Sequence, residues 1–118
     1  MDTEDLQKLV VEALDDLKAV DVRAIDVRGK TAITDVMVIA SGNSDRHVKA
    51  LVDRVIEKAK QAHVRPLGVE GEREAEWVLV DLDDVVVHVM LPRVRDFYNL
   101  EGLWMMNELS DVRDRARH

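Results

Sequence analysis

The stretch Glu76 to Leu91, EWVLVDLDDVVVHVML, constrains the fold more than any other part of the chain. Two runs rich in β-branched residues flank Asp83-Asp84, and alternation along each run defines two faces. With the aspartates as the loop of an antiparallel hairpin, Leu82 lies opposite Val85, Asp81 opposite Val86, Leu79 opposite His88 and Trp77 opposite Met90. One face then carries Val78, Val80, Leu82, Val85, Val87 and Val89, an aliphatic surface that demands a cover. The other carries Trp77, Leu79, Asp81, Val86, His88 and Met90. Asp and His are costly to bury without partners, whereas Trp, Leu, Val and Met are wasteful in water. That second face is therefore either a buried layer under the last helix, with His88 hydrogen-bonded inside it, or a binding patch of aromatic and Met anchors with one polar handle. Composition alone leans towards the buried layer.

Covers for the aliphatic face are legible elsewhere. Leu6, Leu9, Val10, Ala13, Leu14 and Leu17 recur at helical spacing from Asp5 to Val20, with Asp2 or Thr3 as the cap. A second amphipathic helix is expected from Asp45 to Ala62, capped by Asn43 or Ser44, with Val48, Leu51, Val52, Val55, Ile56 and Ala59 on one side. Strands are expected over Val22–Val27 and Val36–Ala40, and an extended segment restarts at Arg65. After Pro92, Val94, Phe97, Tyr98, Leu100, Leu103 and Trp104 follow a roughly helical spacing, weakened by Gly102. Helix, strands, helix, strands and a last helix make a single small α/β domain with a mixed sheet flanked by helices. Its expected extent is residues 1–106. The charged stretch 107–118 is expected to fray.

At 118 residues the chain suits one core. No apolar run approaches the ~20 residues of a membrane span, and the acidic start MDTEDLQKL is unlike a signal peptide. The absence of cysteine excludes disulfides and thiolate chemistry, a usage that fits the cytoplasm. A formal net charge of −7 disfavours nucleic acid on average and favours a basic partner. The charged loop Glu70 to Glu76 lies next to Trp77, where Glu70, Glu72 and Glu76 can meet a partner's Arg or Lys.

Signals for catalysis are weak. Asp81-Leu82-Asp83 has the D-x-D spacing that holds Mg²⁺ in nucleotidyl transfer, but a turn at Asp83 takes the second carboxylate off the strand face. Ser41-Gly42-Asn43-Ser44 lacks a phosphate-binding fingerprint and reads better as a helix cap. His47, His63, His88 and His118 show no metal-ligand spacing, and His47 reads as a surface residue. No cofactor, metal or catalytic residue is expected.

ITDVMVIASGNSDRHVKAL (33–51), RPLGVEGEREAEWVLVDL (65–82), DVVVHVMLP (84–92) and RDFYNLEGLW (95–104), with DLKAVDV (16–22), together resemble the Iojap family of ribosomal silencing factors. The resemblance implies a non-enzymatic translation repressor related in fold to nucleotidyltransferases without their catalytic site. It implies binding to the large (50S) ribosomal subunit through ribosomal protein L14, steric blocking of small-subunit joining when nutrients run short, and a homodimer when free. Carried onto this chain, the contact surface would use Trp77, His88, Met90, Tyr98 and Leu100. With Leu79 and Asp81 from the hairpin reading, Phe97 from the segment after it and the acids Glu70, Glu72 and Glu76, these form the expected partner-binding set. The rival from another class is a nucleotidyltransferase-like enzyme using Asp81 and Asp83 with Mg²⁺. The chain departs from the family pattern at His63 and Asp83, commonly glycine, and at Arg93, commonly acidic.

Overall fold

The computed structural model describes residues 1–32, 34–100 and 102. The stretch 107–118 lies outside the described residues, as do Leu103 and Trp104. Helix α1 spans Thr3–Asp16 and α2 spans Asp45–Gln61, each begun by a side-chain cap. The Asp2 carboxylate accepts from the Asp5 N–H, and the Ser44 hydroxyl accepts from that of His47. Of the alternatives that the sequence left open, Asp2 and Ser44 therefore fill the role, satisfying N–H groups that have no partner within the helix.

The strands are β1 (Val20–Asp26), β2 (Val36–Ser41), β3 (Gly68–Glu70), β4 (Trp77–Asp81) and β5 (Val85–Met90), followed by helix α3 (Pro92–Tyr98). They form one sheet in the order β1-β2-β5-β4-β3. Only the β2–β5 pair is parallel, so the sheet is mixed, as expected. The hairpin register is the one read from the sequence: Trp77 pairs with Met90, Leu79 with His88 and Asp81 with Val86. Asp83 enters the turn with φ of +74°, and its N–H donates to the Asp81 carboxylate at 2.9 Å. Asp tolerates this left-handed geometry better than most residues.

Helices α1 and α2 cover the aliphatic face. Leu6, Val10 and Leu14 from α1, and Val48, Leu51, Val52 and Val55 from α2, pack on Val78, Val80, Leu82, Val85, Val87 and Val89. The helices are also bolted together at their ends. Arg54 and Lys58 of α2 approach Asp16 of α1 at 2.9 and 3.5 Å. His47 is half-buried rather than a plain surface residue: its Nδ1 accepts the Asn43 N–H at 2.9 Å, and its Nε2 lies 2.8 Å from the Leu17 carbonyl. With Nδ1 accepting, Nε2 is the nitrogen left to donate to that carbonyl.

Gly71 closes the loop between β3 and β4. Its φ is +87°, and a Cβ there would collide with the Trp77 carbonyl. Only glycine allows that loop to lie so close to the start of β4.

Candidate functional site

The second face of the sheet divides into a floor and an exposed crest. Met90 is fully buried, clustered with Val27, Met37, Ile39 and Val94. Its side chain offers no surface to a partner, so its expected contact role is replaced by a supporting one. The reason is non-local: β2 brings Met37 and Ile39 alongside β5, and α3 lays Val94 over them. Val86 and His88 are each only 8% exposed.

His88 and Trp77 are joined directly. The indole Nε1–H donates to His88 Nδ1 at 3.0 Å, with ring centroids 6.0 Å apart. Accepting at Nδ1 requires an unprotonated nitrogen there, and burial pushes the His88 pKa down from 6.5 to about 4. The imidazole is therefore neutral at physiological pH and serves as a fixed acceptor that orients Trp77. This is the hydrogen-bonded His of the buried-layer reading, but its partner is the residue at the edge of the exposed crest.

From Trp77 the aromatic contact continues outward. Trp77 and Tyr98 have centroids 4.9 Å apart, and Phe97 meets Tyr98 edge-on at 5.0 Å. Phe97 is 81% exposed and Tyr98 54%. Such pairs stabilise by roughly 0.5–1.5 kcal/mol beyond their buried area, and here they hold two large rings in water at a fixed place. Leu79, Asp81 and Leu100 are half-buried, and Leu100 packs against the Met90 cluster. The face is thus divided, with His88, Val86 and Met90 inside and Trp77, Tyr98 and Phe97 stepping out.

Helix α3 carries the crest, and a residue that the sequence reading did not single out anchors it. Arg95 is buried at 5% exposure, donating to the Ser41 hydroxyl at 3.1 Å and the Val20 carbonyl at 3.4 Å, while its Nη2 lies 3.7 Å from the Asp21 carboxylate. The irregular register of β1 between Val20 and Arg23 has Asp21 at φ of +50°. In the sequence, an arginine within the charged run Arg93 to Asp96 looks like an ordinary exposed helix residue. Its burial becomes visible only once β1 and β2 are placed beside α3.

The acids form the rim. Glu70, Glu72 and Glu76 are all exposed, and Glu76 is held by Arg93 at 2.7 Å. Asp81 spends one oxygen on the turn at Asp83, and the two carboxylates of D-x-D share no strand face. Among the described residues no group of His, Asp and Glu is arranged to hold a metal ion. Nor is any helix among them long and apolar enough to cross a membrane.

A family model described as "Ribosomal silencing factor during starvation" matches residues 1–118. The chain belongs to the ribosomal silencing factor family. The match runs past Trp104, where the recognisable motifs end, to the last residue. Ribosomal silencing factor RsfS of Chromobacterium violaceum is 48% identical over 104 residues, covering 88% of this chain and 85% of that one. The Bacillus subtilis protein of the same name is 39% identical over 112 residues, covering 95% of each. The mouse protein named "Mitochondrial assembly of ribosomal large subunit protein 1" is 34% identical over 106 residues, and the match takes in 46% of its length. A crystal structure of a Chromobacterium violaceum protein superposes with a TM-score of 0.87 at 48% identity, over 88% of this chain and 87% of that one. A second, from Bacillus halodurans, gives 0.79 at 40% identity, over 86% and 94%.

Proposed function

We propose that this silencing factor docks on the large ribosomal subunit through ribosomal protein L14, using the Trp77–Tyr98–Phe97 crest, and so sterically prevents the small subunit from joining. Translation would thereby be repressed in the cytoplasm when nutrients run short. The observation that carries this reading is the exposed, pre-ordered aromatic step from Trp77 to Phe97. Interfaces draw most of their affinity from a few such rigid aromatic anchors. The exposed acids Glu70, Glu72 and Glu76 suit the rim of a contact with a basic ribosomal protein, and Leu79, Asp81 and Leu100 fill the half-buried margin. His88 and Met90 act from below, by fixing the anchors.

Phe97→Ala is the cleaner first test, because Phe97 is 81% exposed whereas Trp77 also packs on the Met90 cluster. Co-sedimentation with purified large subunits should weaken by about 2 kcal/mol, roughly thirtyfold, for Phe97→Ala or Trp77→Ala. Unchanged co-sedimentation of both variants would remove the crest from the docking surface. The nucleotidyltransferase-like alternative predicts metal-dependent nucleotide binding that Asp81→Asn abolishes, whereas docking on the subunit is indifferent to Mg²⁺ at that carboxylate.

The same face offers a seat for a second copy when the protein is free. Two large aromatic rings exposed side by side are the kind of patch that self-association covers.

A further inference from the structure

On the opposite face of the sheet, a cavity of about 780 Å³ opens between the end of α2 and the edge strand β3. Half-buried Ile56, Pro66 and Val69 make its apolar floor, and exposed Lys60, His63 and Arg65 make its rim. Among the described residues no acidic side chain lines it, in a chain whose net charge is −7. Strand alternation explains the sorting. Val69 packs into the core beneath the helices, so Gly68 and Glu70 point to the other face, and Glu70 sits with the aromatic crest.

The cations at this rim meet no carboxylate among the described residues. Arg54 and Lys58, earlier on α2, are drawn to Asp16, but Lys60 and Arg65 form no ion pair among the described residues. Lys60 is not needed to cap the helix either. The His63 N–H donates to the Lys60 carbonyl at 3.0 Å and the Val64 N–H to that of Ala59 at 2.8 Å, which closes the helix end through its own backbone. His63 holds φ of +63° in that closure, a position that glycine occupies without steric cost. That closure sets the His63 imidazole on the same cavity rim as Lys60 and Arg65.

We propose that this cavity is a contact site for the phosphate backbone of RNA. Two cations and an imidazole donor around an apolar floor match a phosphodiester with a sugar or base face laid against it. The described lining has no Asn or Gln to read base edges, so the contact is to backbone and is indifferent to sequence. The source of the RNA rests on the large-subunit docking proposed above, in which the aromatic face would grip protein while this edge grips RNA. The phosphate chemistry stands on the cavity alone.

The test uses the full chain and a short labelled polyuridine RNA, followed by fluorescence anisotropy across a range of salt. Lys60→Gln/Arg65→Gln is compared with Arg46→Gln/Lys49→Gln, which removes the same charge from the other end of α2. Wild type should bind with a linear dependence of log affinity on log salt. The cavity variant should lower that slope by about 1 for each phosphate-neutralising cation removed, and the control should leave it unchanged. Equal losses in both variants, or no binding by wild type, would overturn the assignment. Circular dichroism confirms that each exposed substitution leaves the fold intact. A second arm repeats the comparison with large subunits: Lys60→Gln/Arg65→Gln should flatten the salt dependence of co-sedimentation, and Phe97→Ala should weaken it at every salt concentration. Loss in one arm without the other separates failure of the RNA contact from failure of the aromatic docking face.

Discussion

His88 combines burial with an acceptor role that only a neutral imidazole can fill. Burial lowers its pKa from 6.5 to about 4, so between those values the unfolded chain binds a proton that the folded one refuses. Stability is therefore fully present above pH ~6.5 and drains away as pH falls towards ~4, by about 3 kcal/mol for this group. Urea unfolding of wild type against His88→Gln, which keeps an acceptor for the indole, should show the difference confined to that window. A parallel pH dependence in both proteins would move the effect to the carboxylates. That Trp77 and His88 share one face was legible in the sequence, since alternation alone separates the two sets. Their hydrogen bond was not, because Trp77 and His88 are not cross-strand partners: the indole reaches diagonally across the β4–β5 register to a ring opposite Leu79. Met90 misleads for a similar reason, as its cover comes from β2 and α3 rather than from the hairpin.

At the scale of elements, local rules were enough where each residue answers to its neighbours. The hairpin register, both long helices and their caps follow from periods of 2 and 3.6 and from side chains that can accept from free N–H groups. Two helix-to-strand features escaped. The bend of β1 at Asp21 and the burial of Arg95 depend on each other, and neither has a signature in its own segment. Arg95→Met should leave the sheet intact but free α3, costing about 2–4 kcal/mol because the buried Ser41 hydroxyl and the part-buried Val20 carbonyl lose their donor. Hydrogen exchange would show it as faster exchange in α3 with β2 and β5 unchanged, and Arg95→Lys should restore only part of the protection. At the end of α2, His63→Gly removes a side chain from a left-handed position and should raise stability by about 1 kcal/mol in a denaturant melt. The same change should weaken RNA binding, since the imidazole is lost from the cavity rim. Gly71→Ala should act oppositely, costing about 2 kcal/mol or more, as its Cβ has no room beside the Trp77 carbonyl.

For the whole molecule, the sheet separates two kinds of surface. Helices α1 and α2 seal one face, leaving the Lys60–Arg65 rim at its β3 edge, while the other face exposes aromatic rings with acids around them. A free protein with Phe97 and Tyr98 in water gains by covering them, and a second copy presents the same rings in the same place. On the function proposed above, self-association through the crest and docking through the crest would exclude one another, which would make a dimer a reservoir whose release is driven by large subunits. Sedimentation velocity should show a dimer that dissociates on dilution, and Phe97→Ala should shift the midpoint to higher concentration by roughly tenfold or more. Adding large subunits to the wild-type dimer should deplete it, leaving one copy per subunit in the pellet. Two copies per subunit, or a dimer insensitive to Phe97→Ala, would place self-association on another surface and leave the aromatic crest free for the ribosome at all times.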